Sequence, residues 1–553
     1  MTLRHLGARY GLDLAVLALA LVAFGSLAFY QLRLPGLYYD EAQDVVPTMQ
    51  LLRGQPVDLL HGAGIHLGGR DFPVMVMDYV GTANTYAALP FFAVFGPGVE
   101  GVRAMTVVGA MLTLALTYVV GRQLFGRAAG AAAALLLAVQ PSFVFWSRQG
   151  VHVTSLLTVF SMGALASLLA WRKSGKAFWL CLAALALGAG LGAKVLFLWF
   201  IAALALVALM SLVMRLAAPG ARGRRLRALR EAVGLRPWEP FAAVACFAAG
   251  AAPLILYNVW TGDTLDVLLD NASVSQSGVD NSDFLHNFHL RLDTFRVALD
   301  GDHFWFLGGL HAASLYPWFL LGAAIVAVGV LLLRPQARGL AAPVALVLTL
   351  VGVMLLESSF TISDTWPAHV YMFLPLVALV FGAALFLLWR HGGMSRVPFA
   401  LGVAALALLF AQSLQVDYQY HRDLRETGGR RTHSDAIYRL SEYLDDRTDY
   451  SVLAMDWGIR YSVQLLTDGK VDPREVFYYS PEPPELFYHQ VYGAMMDARP
   501  QLYVFHALEP KYPRLDQFIG FARQYDREPR LEQTITERDG TPAFLIYSVP
   551  SGG

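Results

Sequence analysis

The first stretch of this sequence that could do chemistry is GLYYDEAQDV, residues 36 to 45, which holds the carboxylates Asp40, Glu41 and Asp44. It directly follows an apolar run from Leu12 to Phe29 that is suited to lie in lipid. Carboxylates in such a place can accept protons, and converging pairs can bind a hard cation. They can equally cap the helix that follows, because a helix N-terminus favours negative charge. The acids therefore have both a functional and a structural interpretation.

A second chemically unusual residue is Lys194, which lies within the apolar stretch from Phe178 to Met214. A lysine in the middle of an apolar stretch is costly and is usually functional. The alternative is a lysine whose long side chain reaches back to the interface. Glycines at 188, 190 and 192 would permit a break just before it, so we expect two helices here rather than one.

The composition shows what kind of protein must position these groups. Of the 553 residues, 56% are hydrophobic and 15% charged, and the mean hydropathy is +0.47. Such a chain is too apolar for a soluble globular protein and belongs in a bilayer. The net charge of zero gives no indication of a nucleic-acid partner. The two cysteines lie inside apolar segments, which excludes a disulfide framework.

Windows of about 20 apolar residues predict eleven membrane-spanning helices. They lie near 11–31, 102–121, 127–146, 151–171, 178–214 (two spans), 238–259, 315–333, 340–357, 367–389 and 397–415. The first lacks a small-residue cleavage site and is interpreted as a retained anchor. The short basic connections, of which 215–236 is the longest, are expected to face the cytoplasm, and an eleven-span count with the N-terminus inside puts all of them there.

This count leaves five segments outside the cytoplasm. They are 32–101, 146–152, 261–314, 357–366 and 416–553, and all but the last belong to a membrane domain of residues 1–415. Residues 81–96 are short and polar at their start, so we expect a helix at the membrane interface. A twelve-span alternative, in which this helix crosses, would move Arg122 and Arg127 to the outer side.

The segment after residue 416 is a different kind of chain. Strand-like runs (SVLAMDW, QLYVFHA and TPAFLIYSV) alternate with helical ones such as HSDAIYRLSEYLDD. This alternation predicts a small soluble α/β domain.

Four pieces of the sequence resemble a known family. They are YYDEAQDVVPTMQLLRG after the first helix, the stretch 101–150 from GVRAM to SRQG, GAGLGAKV at 188–195 and AHVYMFLP at 368–375. They are similar to the membrane-embedded glycosyltransferases of the GT-C class, in particular the dolichyl-phosphate-mannose protein mannosyltransferase and aminoarabinose transferase group. The resemblance implies a polytopic helical fold with an extracytoplasmic C-terminal domain in a bacterial-type inner membrane. It also implies transfer of a sugar from a polyprenyl-phosphate carrier to an acceptor glycan, lipid or protein.

The resemblance assigns roles to individual residues. It implies that Asp40 is the general base for the acceptor hydroxyl, that Glu41 assists it, and that the anomeric centre is inverted. The leaving lipid phosphate needs positive charge or oriented donors. The candidates for the donor phosphate are Lys194, Arg148, Arg103, His369 and Tyr371, and those for the acceptor or sugar are His152, Asp44 and Arg70. Arg148 could instead be an interfacial anchor, and Arg103 an ordinary helix-end charge.

The sequence departs from the family pattern at two places. Relatives often carry a second acid after the SR of residues 147–148, but here the stretch reads QGVHVT. Because a strong hard-metal site needs converging carboxylates, we expect no required metal or other cofactor, with a divalent cation left as an alternative. Relatives also often show Arg-Tyr where this chain has Val370 and Tyr371, so the phosphate contact could have moved to His369 or to 261–314. That polar segment could be an acceptor-binding lid, a solvated loop, or a metal site at His286 and His289.

Two other functions compete with this interpretation. One is a transporter or lipid flippase whose path would be lined by Lys194 and the acids. It is disfavoured by the scarcity of ionisable residues within the spans and by the lack of paired interrupted helices. The other is a catalytically inactive scaffold of the same fold, which the absent second acid keeps open.

Overall fold

The computed structural model describes residues 3–150, 154–217, 236–273, 280, 283–360, 366–392, 395–508 and 510–550. Within these ranges the chain forms a helical membrane portion followed by a C-terminal α/β domain. The predicted fold class is confirmed. The helices of the membrane portion are α1 (Leu3–Phe29), α2 (Tyr39–Gln43), α3 (Val46–Arg53), α4 (Ala83–Phe95), α5 (Val99–Leu124), α6 (Arg127–Ala138), α7 (Pro141–Gln149), α8 (Thr154–Ser174), α9 (Ala177–Ala193), α10 (Leu198–Ala217), α11 (Glu239–Gly250), α12 (Ala252–Trp260), α13 (Asp263–Ser273), α14 (Phe284–Asp300), α15 (Tyr316–Leu333), α16 (Ala341–Ser358), α17 (Leu374–His391) and α18 (Val397–Thr427).

The membrane spans agree with the predicted windows. Among the described residues, seven helices are long and apolar enough to cross a bilayer, and nine spans result if each of two bent helix pairs counts as one. The described apolar part of α1, Asp13–Phe29, and α9 are shorter apolar helices. Together, these elements coincide with the eleven predicted spans. The chain is therefore a multi-pass membrane protein.

The two bent pairs have a local cause. α6 and α7 meet at 62°, and α11 and α12 meet at 69°. The second helix of each pair has a proline in its first turn, Pro141 in α7 and Pro253 in α12. Proline lacks an N–H and clashes with the preceding turn, so it starts a new helix rather than continuing the old one. At the first bend, the Gln140 Oε1 caps α7 by accepting from the Phe143 N–H at 2.6 Å.

The predicted break before Lys194 is present, but the glycines near it serve packing. α9 ends at Ala193, Lys194 is extended (φ −160°, ψ 131°), and a 3-10 turn at Val195–Phe197 leads into α10. A Cβ on Gly188 would overlap the Phe247 carbonyl oxygen, and one on Gly250 would overlap that of Leu185. Small residues here allow α9 and α11 to approach closely.

The segment 32–101 carries short helices and hairpins. After α2 and α3 come the antiparallel pair β1 (Gly64–Leu67) and β2 (Arg70–Pro73), then the pair β3 (Met75–Met77) and β4 (Val80–Gly81). α4 has 13 residues, too few to cross a hydrocarbon core that takes about 20. This length agrees with the predicted interfacial helix.

The segment 261–314 is partly helical and is hydrogen-bonded to the membrane portion. Gln140 Nε2 and Ser142 Oγ donate to the Ala298 carbonyl at the end of α14, and Arg291 Nε donates to the Ser358 carbonyl. His289 Nδ1 contacts the Leu285 carbonyl of its own helix. α14 is thus tied to the membrane portion, while 274–279 and 281–282 lie outside the described residues. The lid therefore stays a prediction.

The C-terminal domain is built on one five-stranded sheet. Its helices are α19 (Ala436–Asp445), α20 (Arg460–Leu466), α21 (Glu485–Met495) and α22 (Leu515–Arg523), and its strands are β5 (Ser451–Ala454), β6 (Arg474–Glu475), β7 (Gln501–His506), β8 (Arg530–Thr536) and β9 (Pro542–Ser548). The strand order is β6-β5-β7-β9-β8. β5 runs parallel to β6 and β7, whereas β9 is antiparallel to β7 and β8.

The two faces of this sheet have different neighbours. Alternate residues point to opposite faces, and one face packs with α19 and α20 against α2, α3, α4 and the start of α5. The other face packs against α21 and α22. The acidic motif therefore lies between the membrane portion and the C-terminal domain.

The junction between the two portions is a helix. α18 runs without a break from the last span to Thr427, and Gly428 ends it with φ +72°. The predicted boundary at 415/416 therefore falls inside α18. Tyr420 near its end donates a hydrogen bond to the Gly301 carbonyl at 2.7 Å.

Candidate functional site

The acidic motif begins the short helix α2. Asp40 and Glu41 are in its first turn, where the helix dipole favours negative charge. The Tyr38 N–H donates to Glu41 Oε1 at 3.3 Å, which closes this turn. Glu41 and Asp44 are buried, whereas Asp40 is half-buried.

Glu41 is held by an arginine of the next membrane helix. Arg103 Nε donates to Glu41 Oε2 and Arg103 Nη2 to Glu41 Oε1, both at 2.9 Å, and both side chains are fully buried. Burial raises the pKa of the Glu41 carboxyl, and the facing guanidinium opposes that rise. A buried bidentate pair of this geometry fixes the helix that carries Asp40.

Two buried arginines hold the segment that leads into α2. Arg103 donates to the carbonyls of Leu32, Pro35 and Gly36 at 2.8–3.1 Å. Arg148 Nη2 donates to the carbonyls of Gln31 at 2.6 Å and Leu34 at 3.0 Å. We call the two arginines with these five carbonyls the carbonyl clamp.

The hydrogen bonds of the carbonyl clamp distinguish Arg103 from Arg148 as candidates for binding the donor phosphate. A guanidinium has five N–H groups, and all five of Arg103 are used within the protein. This favours a positioning role for Arg103 over contact with a phosphate. Arg148 differs, because its Nε has no hydrogen-bond partner in the described part of the chain, while its Nη1 lies 3.5 Å from His421 Nδ1.

Asp40, Asp44 and Lys194 form one cluster. Burial disfavours the charged form of Lys194, and the carboxylates of Asp44 and Asp40 offset part of this cost. An isolated β-bridge between Val80 and Lys194 positions the lysine, and the Val195 N–H donates to the Tyr79 carbonyl at 3.1 Å. Two elements far apart in sequence thus bring acidic residues and a lysine into one electrostatic cluster at the C-terminal end of α9.

Asp44 is anchored by α4. Asn84 Nδ2 donates to Asp44 Oδ2 at 2.8 Å, and the Thr85 hydroxyl donates to the Asp44 carbonyl at 2.7 Å. These bonds make Asp44 a fixed wall of the cluster. Its predicted contact with acceptor or sugar stays a prediction.

His433 is a neighbour that the sequence did not indicate. Its ring stacks on Tyr38 at 4.1 Å and on Phe306 at 3.9 Å between ring centroids. Burial lowers its pKa to about 3, although the Asp40 carboxylate opposes this. A neutral, stacked imidazole therefore lies beside the acidic motif, and a lone histidine nearly 400 residues from the motif gave no signal of it.

Aromatic side chains of the C-terminal domain also reach the motif. The Tyr39 hydroxyl donates to Glu475 Oε1 at 2.7 Å. Its ring lies 4.8 Å from that of Trp457 and 5.1 Å from that of Tyr461, between centroids. The Asp40 carboxylate also acts electrostatically on Tyr479. The sequence analysis selected none of these C-terminal residues.

The other predicted residues lie around this cluster. Tyr371 exchanges a hydrogen bond with Ser147 at 2.7 Å and stacks on Phe143. His369 Nδ1 accepts from the Trp366 N–H. Arg70 is exposed on β2 and donates to the Leu51 carbonyl. His152 lies outside the described residues.

A group of side chains in the described ranges has the spacing for a metal ion. One ligand atom each of His61, Asp78 and Asp263 lies within 4.8 Å of the others. The Tyr257 hydroxyl donates to Asp78 Oδ1 at 2.5 Å and to Asp263 Oδ2 at 3.3 Å. Carboxylate and imidazole ligands suit several divalent cations. The sequence analysis considered His286 and His289 instead of this group.

Comparison with known proteins identifies the class of the fold. Residues 84–221, from α4 to the end of α10, match the family described as dolichyl-phosphate-mannose-protein mannosyltransferase. The structure resembles ArnT from Cupriavidus metallidurans in the apo state with a TM-score of 0.62, 11% identity and coverage of 98% of both chains. It also resembles ArnT bound to undecaprenyl phosphate, with a TM-score of 0.57, 13% identity and coverage of 97% of this chain and 98% of the other.

The structure also resembles an archaeal oligosaccharyltransferase. The Archaeoglobus fulgidus oligosaccharyltransferase tethered with an acceptor peptide matches with a TM-score of 0.54 and 12% identity, over 99% of this chain and 74% of the other. No curated protein sequence matches this chain significantly. The chain thus has the fold of the GT-C membrane glycosyltransferases, and the resemblance seen in the sequence is confirmed.

Proposed function

We propose that this protein is a membrane glycosyltransferase that moves a sugar from a polyprenyl-phosphate carrier to a hydroxyl of an envelope acceptor. The acceptor oxygen attacks the anomeric carbon, the bond from that carbon to the phosphate oxygen breaks, and the polyprenyl phosphate leaves as an anion. The proton of the acceptor hydroxyl goes to Asp40. Attack opposite the leaving phosphate inverts the anomeric centre.

The observation that carries this proposal is that the Asp40 carboxylate acts electrostatically on the buried Lys194, which a β-bridge to Val80 holds at the end of an apolar helix. A lipid-linked donor keeps its chain in the bilayer and its sugar phosphate in water, so its reactive bond lies at such a boundary. The two groups have the charges that transfer requires. A carboxylate can accept the proton, and a buried cation can stabilise the departing phosphate.

The neighbouring charges have supporting roles in this proposal. Glu41 and Arg103 position α2 through their buried pair. Arg148 is the second candidate for the phosphate, because its Nε has no partner in the described ranges. No metal is required, since the polyprenyl phosphate leaves as a stable anion. A divalent cation at His61, Asp78 and Asp263 remains the alternative.

The orientation follows from the charges at the opposite end of the molecule. Asp13 in α1 pairs with Arg122 at 3.4 Å and Arg127 at 3.3 Å, and Arg172 and Lys173 end α8. Basic residues concentrate on the cytoplasmic side of membrane proteins. We therefore place the acidic motif and the C-terminal domain on the extracytoplasmic side of a bacterial-type inner membrane.

Replacement of Asp40 by Asn tests the proposal. A strain lacking the gene would be complemented with the wild type or with Asp40→Asn, and carrier lipids and envelope glycans would be compared by mass spectrometry. Because loss of a general base costs about 10²- to 10⁴-fold, we expect the carrier-linked sugar to accumulate and the product glycan to disappear. Asp71→Asn, an exposed acid on the β1–β2 hairpin, is the matched control and should transfer normally.

Transfer at the wild-type rate by Asp40→Asn would contradict the proposal. If the envelope glycans of the deletion strain were also identical to those of the wild type, the protein would be interpreted as a catalytically inactive scaffold. If carrier lipid moved between leaflets in a protein-dependent way without sugar transfer, the flippase would be favoured. Thermal unfolding of each purified variant checks that it is folded.

A further inference from the structure

The C-terminal sheet has a topological feature that nothing in the proposed chemistry uses. β5 and β7 are adjacent and parallel. The chain leaves β5 through α20 to β6 on one side, and leaves β7 through α22 to β8 on the other. α20 packs on one face of the sheet and α22 on the opposite face. The carboxyl ends of β5 and β7 are therefore a topological switch point, where α/β sheets bind ligands.

Two aromatic side chains and a lysine lie near this switch point. The loop after β5 carries Trp457, and the loop after β7 carries Lys511. The Lys511 Nζ lies 4.9 Å from the Trp457 ring centroid and 5.7 Å from that of Tyr479. We call Trp457, Tyr479 and Lys511 the aromatic platform. No described carboxylate is within salt-bridge distance of Lys511.

Asp456 joins the loop after β5 to the loop after β7 by hydrogen bonds. Asp456 is buried, and its Oδ1 accepts from the Trp457 N–H at 2.8 Å and the Tyr512 N–H at 3.4 Å. His506 Nε2 lies 3.0 Å from the Trp457 carbonyl oxygen. The platform thus has a rigid base although its surface is open.

The platform faces the acidic motif. Tyr39, the residue before Asp40, packs on Trp457 and donates to Glu475 at the end of β6. The Asp40 carboxylate acts electrostatically on Tyr479. A cavity of about 290 Å³ adjoins this interface and is lined by Gln43, Pro47, His61, Arg460 and Tyr461, among others. The cavity thus lies between α2, α3 and α20, next to the helix that carries the acidic motif.

Packing alone does not account for the platform. The Tyr479 side chain is 64% exposed, so its ring adds little to the buried core. An exposed ring beside a cation that has no acidic partner among the described residues is a recognition surface of the kind found at binding sites.

We propose that the aromatic platform binds a sugar ring of the acceptor that bears an anionic group such as a carboxylate or phosphate. This deepens the proposed function and rests on it. The C–H face of a sugar ring stacks on the electron-rich face of an aromatic ring. Lys511 pairs with the anionic group, and the next hydroxyl of the acceptor then points to Asp40.

Binding is tested with the base removed, so that turnover is not needed. Full-length Asp40→Asn protein in lipid nanodiscs would be titrated with oligosaccharides released by mild acid from the envelope of the deletion strain. This strain retains the unmodified acceptor. The oligosaccharides are separated by anion exchange into acidic and neutral pools, and binding is followed by saturation-transfer-difference NMR.

We expect the acidic pool to bind and the neutral pool to bind at least about threefold more weakly. Tyr479→Ala and Lys511→Ala should each weaken binding of the acidic pool by about threefold to tenfold. Tyr492→Ala is the matched control, because Tyr492 is 40% exposed on α21 and packs on Tyr525. It should bind as the parent does.

Equal binding by Tyr479→Ala and the Tyr492→Ala control would overturn the proposal. So would equal binding of the two pools, or binding of tryptic envelope peptides in place of both, which would identify a protein acceptor. Failure of the proposed function gives a different result: the acidic pool binds to the platform, but the wild type transfers no sugar.

Discussion

The two walls around the acidic motif are built in opposite ways. The membrane wall is the carbonyl clamp, in which Arg103 uses every N–H and is completely buried. The wall from the C-terminal domain is the aromatic platform, in which Tyr479 is largely exposed and Lys511 has no described acidic partner. The first wall fixes the position of Asp40, and the second leaves its polar and aromatic groups available to a ligand.

This contrast separates positioning from recognition. Removing one partner of a buried ion pair leaves the other charge without compensation in a low-dielectric interior. Removing an exposed ring changes little in the folded state. Substitutions in the clamp should therefore affect folding first, whereas those in the platform should affect only binding.

The largest effect is expected from Arg103→Met. The variant removes both guanidinium hydrogen bonds of the Glu41 carboxylate and those of three backbone carbonyls, so the free energy of unfolding should fall by about 3–5 kcal/mol. Thermal unfolding in detergent and the yield of folded protein measure this loss.

Arg33→Ala is the control for this change. Arg33 lies on the same segment, but its pair with Glu100 is exposed, so it should cost less than about 1 kcal/mol. Adding Glu41→Gln to Arg103→Met should recover part of the loss. An unfolding midpoint equal to that of the wild type would show that the clamp does not hold α2.

A smaller effect, visible only in its pH dependence, is expected from Asp456→Asn beneath the platform. Burial raises the pKa of the Asp456 carboxyl to about 7, whereas its value in the unfolded chain is about 4. The folded protein therefore binds this proton more tightly, and the resulting stabilisation is full below about pH 4 and lost as the pH rises through about 7.

The wild type and Asp456→Asn should thus have similar unfolding midpoints at pH 4. At pH 8 the variant should be the more stable by at most about 4 kcal/mol, since it has no charge to bury. Unfolding curves of both proteins at intervals from pH 4 to 8 measure the difference. A constant difference across this range would contradict the prediction.

The smallest effect on stability is expected from Tyr479→Ala. Because this ring is mostly exposed, the free energy of unfolding should change by no more than about 0.5 kcal/mol, although glycan binding weakens. Thermal unfolding of the variant beside the wild type tests this. A loss as large as that of Arg103→Met would make the platform part of the core and remove the contrast between the two walls.

Much of the architecture could be predicted from the sequence because hydrophobicity is a local property. Apolar runs placed all the spans, the polar start of 81–96 indicated a short interfacial helix, and the alternating pattern after α18 indicated the α/β domain. The lysine between two apolar helices was identified because burying its charge is costly.

The contacts that complete the site are not local. Arg103 is recognisable as a charge near a helix end, but its five acceptors are mostly backbone carbonyls, which leave no mark in the sequence. His433, Trp457 and Tyr479 are about 400 residues from Asp40. A single sequence does not show which distant loops a fold brings together.

The continuity of α18 has a consequence for how substrates arrive. A helix of 31 residues is about 46 Å long. One end of α18 forms the last membrane span, and the other end leads directly into the C-terminal domain that covers the acidic motif. A tilt of the C-terminal domain that is transmitted through α18 would require this helix to bend or the whole span to tilt. Under the proposed function, donor and acceptor would therefore have to reach Asp40 without a hinge motion within α18.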